Sequence, residues 1–450
     1  MGDVIAAVAT GWQASAIGII RMSGTGCIDM AKKVFSPQFA TDLTDRSLIL
    51  GHLRDKQGRI IDQCLLTVSH APNSYTGEDT AEFQCHGSPA VLTAGLEALF
   101  AVGARQAGPG EFTKRAFLNG RMDLTQAEAV IDLIHAESTE AAANATGQLG
   151  GAMLRKIAPI YDRLTDLMAH FHAVLDYPDE DIDPFELNSF RNQLKQDVEI
   201  LYVLLSTYDR GQVLRRGIRA VILGKPNAGK SSLLNALAGY DRVIVTDIAG
   251  TTRDSVEETV KLGRHLLRLV DTAGIRDTSD PIERMGVERA EAAATQADLA
   301  IYVCDGSVAL TAEDLRAQSS AMEAPRCVAI LNKQDLPQAV QPSDLPFDWV
   351  IPLCANTGDG LDALEYALDC LFDSDIPCDG SILTNARQAE AVARAGKALE
   401  QALSSMELSM TPDAVLVDVE AAMEALGEIT GQTMREEITN RIFARFCVGK

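Results

Sequence analysis

Gly224-Lys225-Pro226-Asn227-Ala228-Gly229-Lys230-Ser231 follows the apolar run 218–223 and precedes Ser232-Leu233-Leu234-Asn235-Ala236-Leu237, whose composition is helical. A strand, a G-x-x-x-x-G-K-[ST] loop and a helix, in that order, make a phosphate-binding loop. Backbone N–H groups at the start of the helix have no intrahelical partners and lie at the positive end of its dipole, so they face a phosphate. Lys230 is the catalytic cation on the β- and γ-phosphates, and Ser231 supplies a hydroxyl ligand to Mg²⁺. Asn227, Ala228, Gly229 and Ser232 complete the nucleotide contacts of this stretch.

Further apolar runs at 266–270, 299–303, 328–331 and 349–353 alternate with helical segments. The pattern predicts a Ras-like, doubly wound parallel α/β domain over 216–375. Asp271-Thr272-Ala273-Gly274 ends one run, where an Asp holds Mg²⁺ through water and a glycine amide reaches the γ-phosphate. Thr246-Asp247-Ile248-Ala249-Gly250-Thr251-Thr252 lies between the two motifs as a switch segment, and Thr252 is the second Mg²⁺ ligand. Asn332-Lys333-Gln334-Asp335 ends another run. The Asp335 carboxylate can accept from both N1–H and the exocyclic amine of guanine, whereas adenine would leave a buried charge unsatisfied, so the site takes GTP over ATP. In Cys354-Ala355-Asn356-Thr357-Gly358 a cysteine stands where related GTPases have serine, and the Ala355 amide faces the guanine oxygen. Ile275 follows Gly274, so the glutamine that orients water in Ras-like proteins is missing. Either hydrolysis is slow or another group does this work. Asp280, Glu283 and Glu288 lie downstream, and for any one of them taken by itself the reading as an ordinary solvated acid weighs more.

The 450 residues call for two or three domains. Residues 1–118 mix short apolar runs, such as Ala16-Ile17-Gly18-Ile19-Ile20-Arg21, with Gly- and Pro-bearing turns, which predicts a small α+β domain. Residues 119–215 carry long helical stretches at 124–137 and 154–175. From 376 to 450 the helical texture resumes: Val392, Ala395, Leu399, Leu403 and Met406 share one face, and Thr411 caps a helix with Pro412 at its first position and Val415, Leu416, Val419, Met423 and Leu426 inside. The α/β domain is therefore inserted into a helical domain. Apolar residues make up 46% and no run approaches the roughly 20 residues of a membrane span, so a soluble, non-membrane protein is expected. The start of the chain has no basic segment or cleavage site, which makes the cytoplasm the expected location. Nine cysteines without a C-x-x-C pair argue against a zinc site or disulfide framework. A net charge of −23 disfavours broad non-specific attachment to nucleic acid, so any RNA contact is local or made through a partner.

The ends of the chain add Gly18-Ile19-Ile20-Arg21-Met22-Ser23-Gly24, Tyr75-Thr76-Gly77-Glu78-Asp79, Pro109-Gly110-Glu111-Phe112-Thr113, Arg115-Ala116-Phe117-Leu118-Asn119-Gly120 and the terminal Phe446-Cys447-Val448-Gly449-Lys450. With Thr246 to Thr252 in the middle, the chain resembles, from end to end, the MnmE (TrmE) family of tRNA-uridine modification GTPases. The resemblance implies an N-terminal domain that binds a 5-formyltetrahydrofolate-type one-carbon donor and mediates homodimerisation. It also implies an FAD-dependent partner, MnmG (GidA), in a heterotetramer. Together the two add an aminomethyl or carboxymethylaminomethyl group to C5 of the wobble uridine of certain tRNAs. By position, Arg21, Glu78, Arg121 and Lys450 match the family's folate residues; Arg121 stands where lysine is usual, and the two are not interchangeable at a tight site. Ala16 and Ser88 stand where glycine is common. The family uses K⁺ beside the phosphates: Asn227 matches the diagnostic ligand, and Thr246, Ile248 and Thr251 the others. Its water-positioning acid corresponds to Glu283.

Cys447 has two readings, a reactive thiol near the folate and the uridine, or a tail residue that packs, of which packing weighs more. Two other functions compete with the resemblance. A regulatory switch of the Era or Der type would usually carry a basic RNA-binding module, which this acidic chain lacks. A folate-dependent methyltransferase would leave the intact nucleotide motifs unexplained.

Overall fold

A computed structural model describes residues 3–39, 43–176, 187–240, 258–269, 294–372, 378–408, 410–433, 436–444 and 446–449. Its contacts divide the chain into two units: Met1–Ile134, Thr146–Tyr202 and Glu390–Lys450 form the first, and His135–Ala145 with Val203–Ala389 the second. No helix of the described residues is long and apolar enough to cross a membrane.

In the first unit, strands β1 (Ile5–Val8), β2 (Ser15–Ser23), β3 (Phe35–Pro37), β4 (Ile49–Arg54), β5 (Ile60–Ser69), β6 (Thr80–Gly87) and β7 (Arg105–Gln106) form a sheet in the order β3-β4-β5-β6-β2-β1-β7. Alternation along each strand fixes the inner face. Cys64, Leu66 and Val68 of β5 and Ala81, Phe83 and Cys85 of β6 are buried under helices Cys27–Val34 and Pro89–Ala101, which contribute Ile28, Ala31, Leu92, Leu96 and Leu99. Each large apolar side chain so buried contributes about 1.5–3 kcal/mol. The two departures from glycine are accommodated by the backbone: Ser88 is extended, at φ −84° and ψ 127°, and Ala16 is an exposed residue at the register shift between Ser15 and Ile17.

The helical part of this unit packs Pro412–Thr430 against Ala152–Asp176. Buried Val415, Leu416, Val419, Ala422, Leu426 and Ile429 on one helix, and Met153, Ile157, Ile160, Leu164 and Leu167 on the other, follow the 3.6-residue period. Thr411 and Pro412 open the first of these helices as expected, although the Thr411 side chain makes no capping bond; Gly431, left-handed at φ 91°, closes it. The stretch 124–137 is a shorter helix than its composition suggests, Leu124–Ile134. Ser138 ends the run by capping the next helix, its Oγ accepting from the Ala141 N–H at 3.1 Å.

In the second unit, β8 (Ile218–Leu223), β9 (Glu258–Leu262), β10 (His265–Leu269), β11 (Leu299–Asp305), β12 (Cys327–Asn332) and β13 (Val350–Pro352) form a sheet in the order β13-β12-β11-β8-β10-β9. All neighbours are parallel except the β9–β10 hairpin, an antiparallel edge in which β10 matches the apolar run 266–270 and β9 carries none. β11 is buried along its whole length, the mark of a strand covered on both faces. The strand order reverses beside β8, and in such sheets ligands bind at the carboxyl ends next to that point.

Candidate nucleotide-binding site

The loop after β8 is shaped by close approaches that dictate its residue types. At Gly224, φ 150°, a Cβ would lie 2.3 Å from the Val303 carbonyl oxygen; at Gly229, φ 101°, it would lie 2.0 Å from Asn332 Nδ2. Asn227 is left-handed at φ 63°, a conformation that asparagine tolerates better than most residues, and it is exposed between buried Ala228 and the loop's start. Helix Lys230–Tyr240 begins where the loop ends, so its first N–H groups open toward the loop.

Lys230 Nζ donates to the carbonyl oxygens of Gly224 at 2.7 Å and Lys225 at 2.8 Å. No carboxylate pairs with it among the described residues. Burial pushes its pKa below the ordinary lysine value, so the ammonium is desolvated and, among the described residues, held by neutral oxygens. An arriving phosphate anion relieves that cost. Ser231, in the same first turn, is exposed.

Asn332, at the end of β12, joins the phosphate loop to the base-reading side. Its Nδ2 donates to the Ala228 carbonyl at 2.9 Å and its Oδ1 accepts from the Ala355 N–H at 3.0 Å. Asn332 is buried, and the geometry gives the first residue of N-K-x-D a scaffolding role. Lys333, left-handed at φ 63°, donates to Asp305 Oδ2 at 2.6 Å. Asp305 ends β11; burial works against its charge, but bonds from Lys333 and Ser307 outweigh that and hold the carboxyl below its usual range. Asp335 is exposed and accepts from the buried Cys354 thiol, with Sγ 3.5 Å from Oδ1. The cysteine that replaces serine therefore keeps a donor on the carboxylate, though a weak one. Ala228, Lys230, Asn332 and Ala355 are thus linked, through Lys225, in one small hydrogen-bonded set, and Asn227 and Gly229 lie in the loop between them. Thr246, Asp247, Ile248, Ala249, Gly250, Thr251, Thr252, Asp271, Thr272, Ala273, Gly274, Ile275, Asp280, Glu283, Glu288 and Lys450 lie outside the described residues.

The first unit gathers the other site residues. Arg21 on β2 donates to Glu82 at 2.7 Å, its guanidinium 5.7 Å from the centre of the Tyr75 ring and 5.8 Å from that of Phe112. Glu78 Oε2 accepts from Ser23 at 2.7 Å and Arg115 at 3.0 Å. Gly77, φ 77°, lets the loop close on the next turn, where Asn119 donates to the Thr76 carbonyl at 2.8 Å and the Arg121 stem lies beside Gly77. Glu78 and Arg121 therefore flank one loop. Arg115, which sequence reading passed over as a binding residue, also reaches Glu111 and Asp3, and Arg105 pairs with the same two carboxylates. Burial works against the Glu111 charge, yet the bonds from Arg105, Gly108 and Arg115 prevail and bring its pKa down to about 2. The tail 446–449 docks beside this cluster: Val448 bridges Pro109, and the Cys447 carbonyl accepts from Gly110 at 3.3 Å. Cys447 itself is exposed; Phe446 does the packing, against Phe443 and Leu124. No cluster of metal-ligating side chains is found among the described residues, and all nine cysteines are free.

The family description "MnmE helical domain" matches residues 124–447, and "GTP-binding protein TrmE N-terminus" matches residues 4–121. The tRNA modification GTPase MnmE of Thermus thermophilus is 43% identical over 100% of this chain and 99% of its own length. The chain belongs to the MnmE (TrmE) family. Its GTP hydrolase activity follows from that membership. The MnmE GTPase of Akkermansia muciniphila is 44% identical over 99% of this chain and 98% of its own, and that of a Roseiflexus species 41% identical over 100% and 99%. Among solved structures, Era of Aquifex aeolicus bound to GDP·AlF4⁻ overlaps 40% of this chain and 66% of its own at 24% identity, with a TM-score of 0.27, too low to bear on the family's fold.

Proposed function

We propose that this chain binds GTP on the loop 224–231, reads guanine with Asp335, and hydrolyses GTP to GDP and phosphate in support of C5 modification of the wobble uridine of tRNA. Lys230 carries this reading: a desolvated ammonium, resting on two loop carbonyls at a helix N-terminus, with no carboxylate partner among the described residues. With nucleotide present the ammonium turns to the β- and γ-phosphates, the loop N–H groups hold the β-phosphate, and Asn332 keeps the phosphate and base loops in register. Glu283 orients the attacking water.

Two ions belong to the proposal. Ser231 with Thr252 would hold Mg²⁺, and Asn227 with Thr246, Ile248 and Thr251 would hold K⁺; both ions supply positive charge against the phosphate oxygens. Exposed Asn227 and Ser231 fit this, since amide and hydroxyl oxygens are the hard donors such cations take. In the first unit, Arg21, Glu78, Arg121 and Lys450 would bind a tetrahydrofolate one-carbon donor. A guanidinium beside two aromatic rings, and a carboxylate at the neighbouring loop, suit a flat heterocycle bearing N–H donors. Homodimerisation, the FAD-dependent MnmG partner, tRNA as substrate and a cytoplasmic location complete the proposal.

Mass analysis of wobble-uridine nucleosides from cells lacking this chain tests the destination: loss of the C5 substituent is expected, and an unchanged nucleoside profile would overturn it. Hydrolysis should be at least about tenfold faster in K⁺ than in Na⁺. Equal rates in the two salts would remove the potassium role of Asn227.

A further inference from the structure

The side chain of Lys225, second in the phosphate loop, has no part in the mechanism above. Only 12% exposed, it donates to Asp314 Oδ2 at 2.8 Å across 89 residues of sequence. Asp314 lies in the first turn of helix Ala312–Ala321 and is fully buried. The same oxygen accepts from the Thr311 N–H at 2.9 Å and the Thr311 hydroxyl at 2.7 Å, so the carboxylate also caps its helix. A buried, charge-assisted bond of this kind is stronger than a neutral one, and removing either partner strands a charge in the interior.

The backbone of Lys225 shows what the ion pair holds. Its carbonyl oxygen is one of the two supports of Lys230, at 2.8 Å, and also accepts from the Ala228 N–H at 3.3 Å. On the other flank the Ala228 carbonyl is tied to Asn332. Exposed, left-handed Asn227 therefore sits between two anchored points, one reaching the helix at Asp314 and the other the end of β12. Gly224 and Gly229 give this stretch little stiffness of its own.

We infer that Asp314 is a positioning residue for the phosphate loop, acting through Lys225 to fix the carbonyl that supports Lys230 and one flank of Asn227. The inference rests on the reading of 224–231 as the nucleotide site. No sequence motif marks Asp314, because the contact is long-range and the residue looks like an ordinary helix-capping acid.

The test is a double-mutant cycle in the full-length protein, with a fluorescent GDP analogue for affinity, steady-state GTP hydrolysis and thermal melting as readouts. Asp314→Asn keeps the shape and the cap but removes the charge that holds Lys225, and Lys225→Met removes the ammonium from the loop side, so an unfolded Asp314→Asn protein still leaves an answer. Each single variant should weaken nucleotide binding about tenfold, and the double variant should be no weaker than Lys225→Met alone, because Asp314 has nothing to act on once the ammonium is gone. Thr311→Ala, which removes a bond to the same oxygen but spares Lys225, should lower the melting temperature while affinity stays within about twofold. Wild-type affinity in Lys225→Met, or additive losses in the double variant, would overturn the positioning role. Failure of the wild-type chain to bind guanine nucleotide would instead overturn the reading of the site itself.

Discussion

The two cationic centres of this chain handle charge in opposite ways. At the phosphate loop, Lys230 is desolvated and, among the described residues, held by carbonyl oxygens alone, its pKa pushed down by burial. In the N-terminal unit, Arg105 and Arg115 are saturated by Asp3, Glu78 and Glu111. Burial works against the charge of Arg115, but its carboxylate bonds outweigh that and raise its pKa. The first centre is incomplete without an anion, whereas the second is neutralised by its own chain. One is built to bind and the other to hold segments together, and the difference is visible only when each cation's partners are named.

The sharpest way to break the comparison is Lys230→Ala, expected to lower kcat/KM for GTP about a thousandfold, with the melting of the N-terminal unit unchanged. A loss of only a few-fold would mean that Lys230 is no more a binding cation than the arginines. Arg115→Met should do the reverse, destabilising the N-terminal unit by about 3 kcal/mol in chemical denaturation, since three carboxylates lose a shared partner, while GTP turnover stays normal.

The pH response sharpens the same contrast. The Glu111 pKa is lowered from 4.5 to about 2 in the folded chain. Its contribution, at most about 3 kcal/mol, is complete above pH 4.5 and disappears as pH falls through about 2. Acid melts followed by circular dichroism should lose that stability in wild type but not in Glu111→Gln, which starts lower. The smallest effect is expected at Cys354→Ser: an O–H donor on Asp335 should tighten GDP binding about two- to threefold in a fluorescence titration, and Cys354→Ala should weaken it.

The same division explains what was legible in the sequence. The nucleotide loop is contiguous, and each of its constraints falls on a residue type with few substitutes: glycine at 224 and 229 where a Cβ would collide, asparagine at a left-handed 227. Asn332 could be recognised as a motif member, but its job of tying Ala228 to Ala355 could not. The helices at 152–176 and 412–430 announce themselves by period. β9 does not, since Glu258, Thr259 and Lys261 interrupt its apolar positions and only pairing with β10 makes it a strand. Arg115 and Asp314 were invisible as positioning groups because Glu78 and Lys225, the partners they tie down, lie 37 and 89 residues away, and no local period records such a contact.

The docking of 446–449 against Pro109 and Gly110 has a consequence for synthesis. A Cβ at Gly449 would lie 2.1 Å from the Val8 carbonyl, so the tail also closes on the first strand. At roughly 5–20 residues per second, the ribosome needs tens of seconds between making the segment at 109 and making its partner at 448. During that interval the whole inserted α/β unit is produced and free to fold, while the domain that began first still lacks its closing piece. The earliest part of this chain to emerge is therefore among the last to be finished.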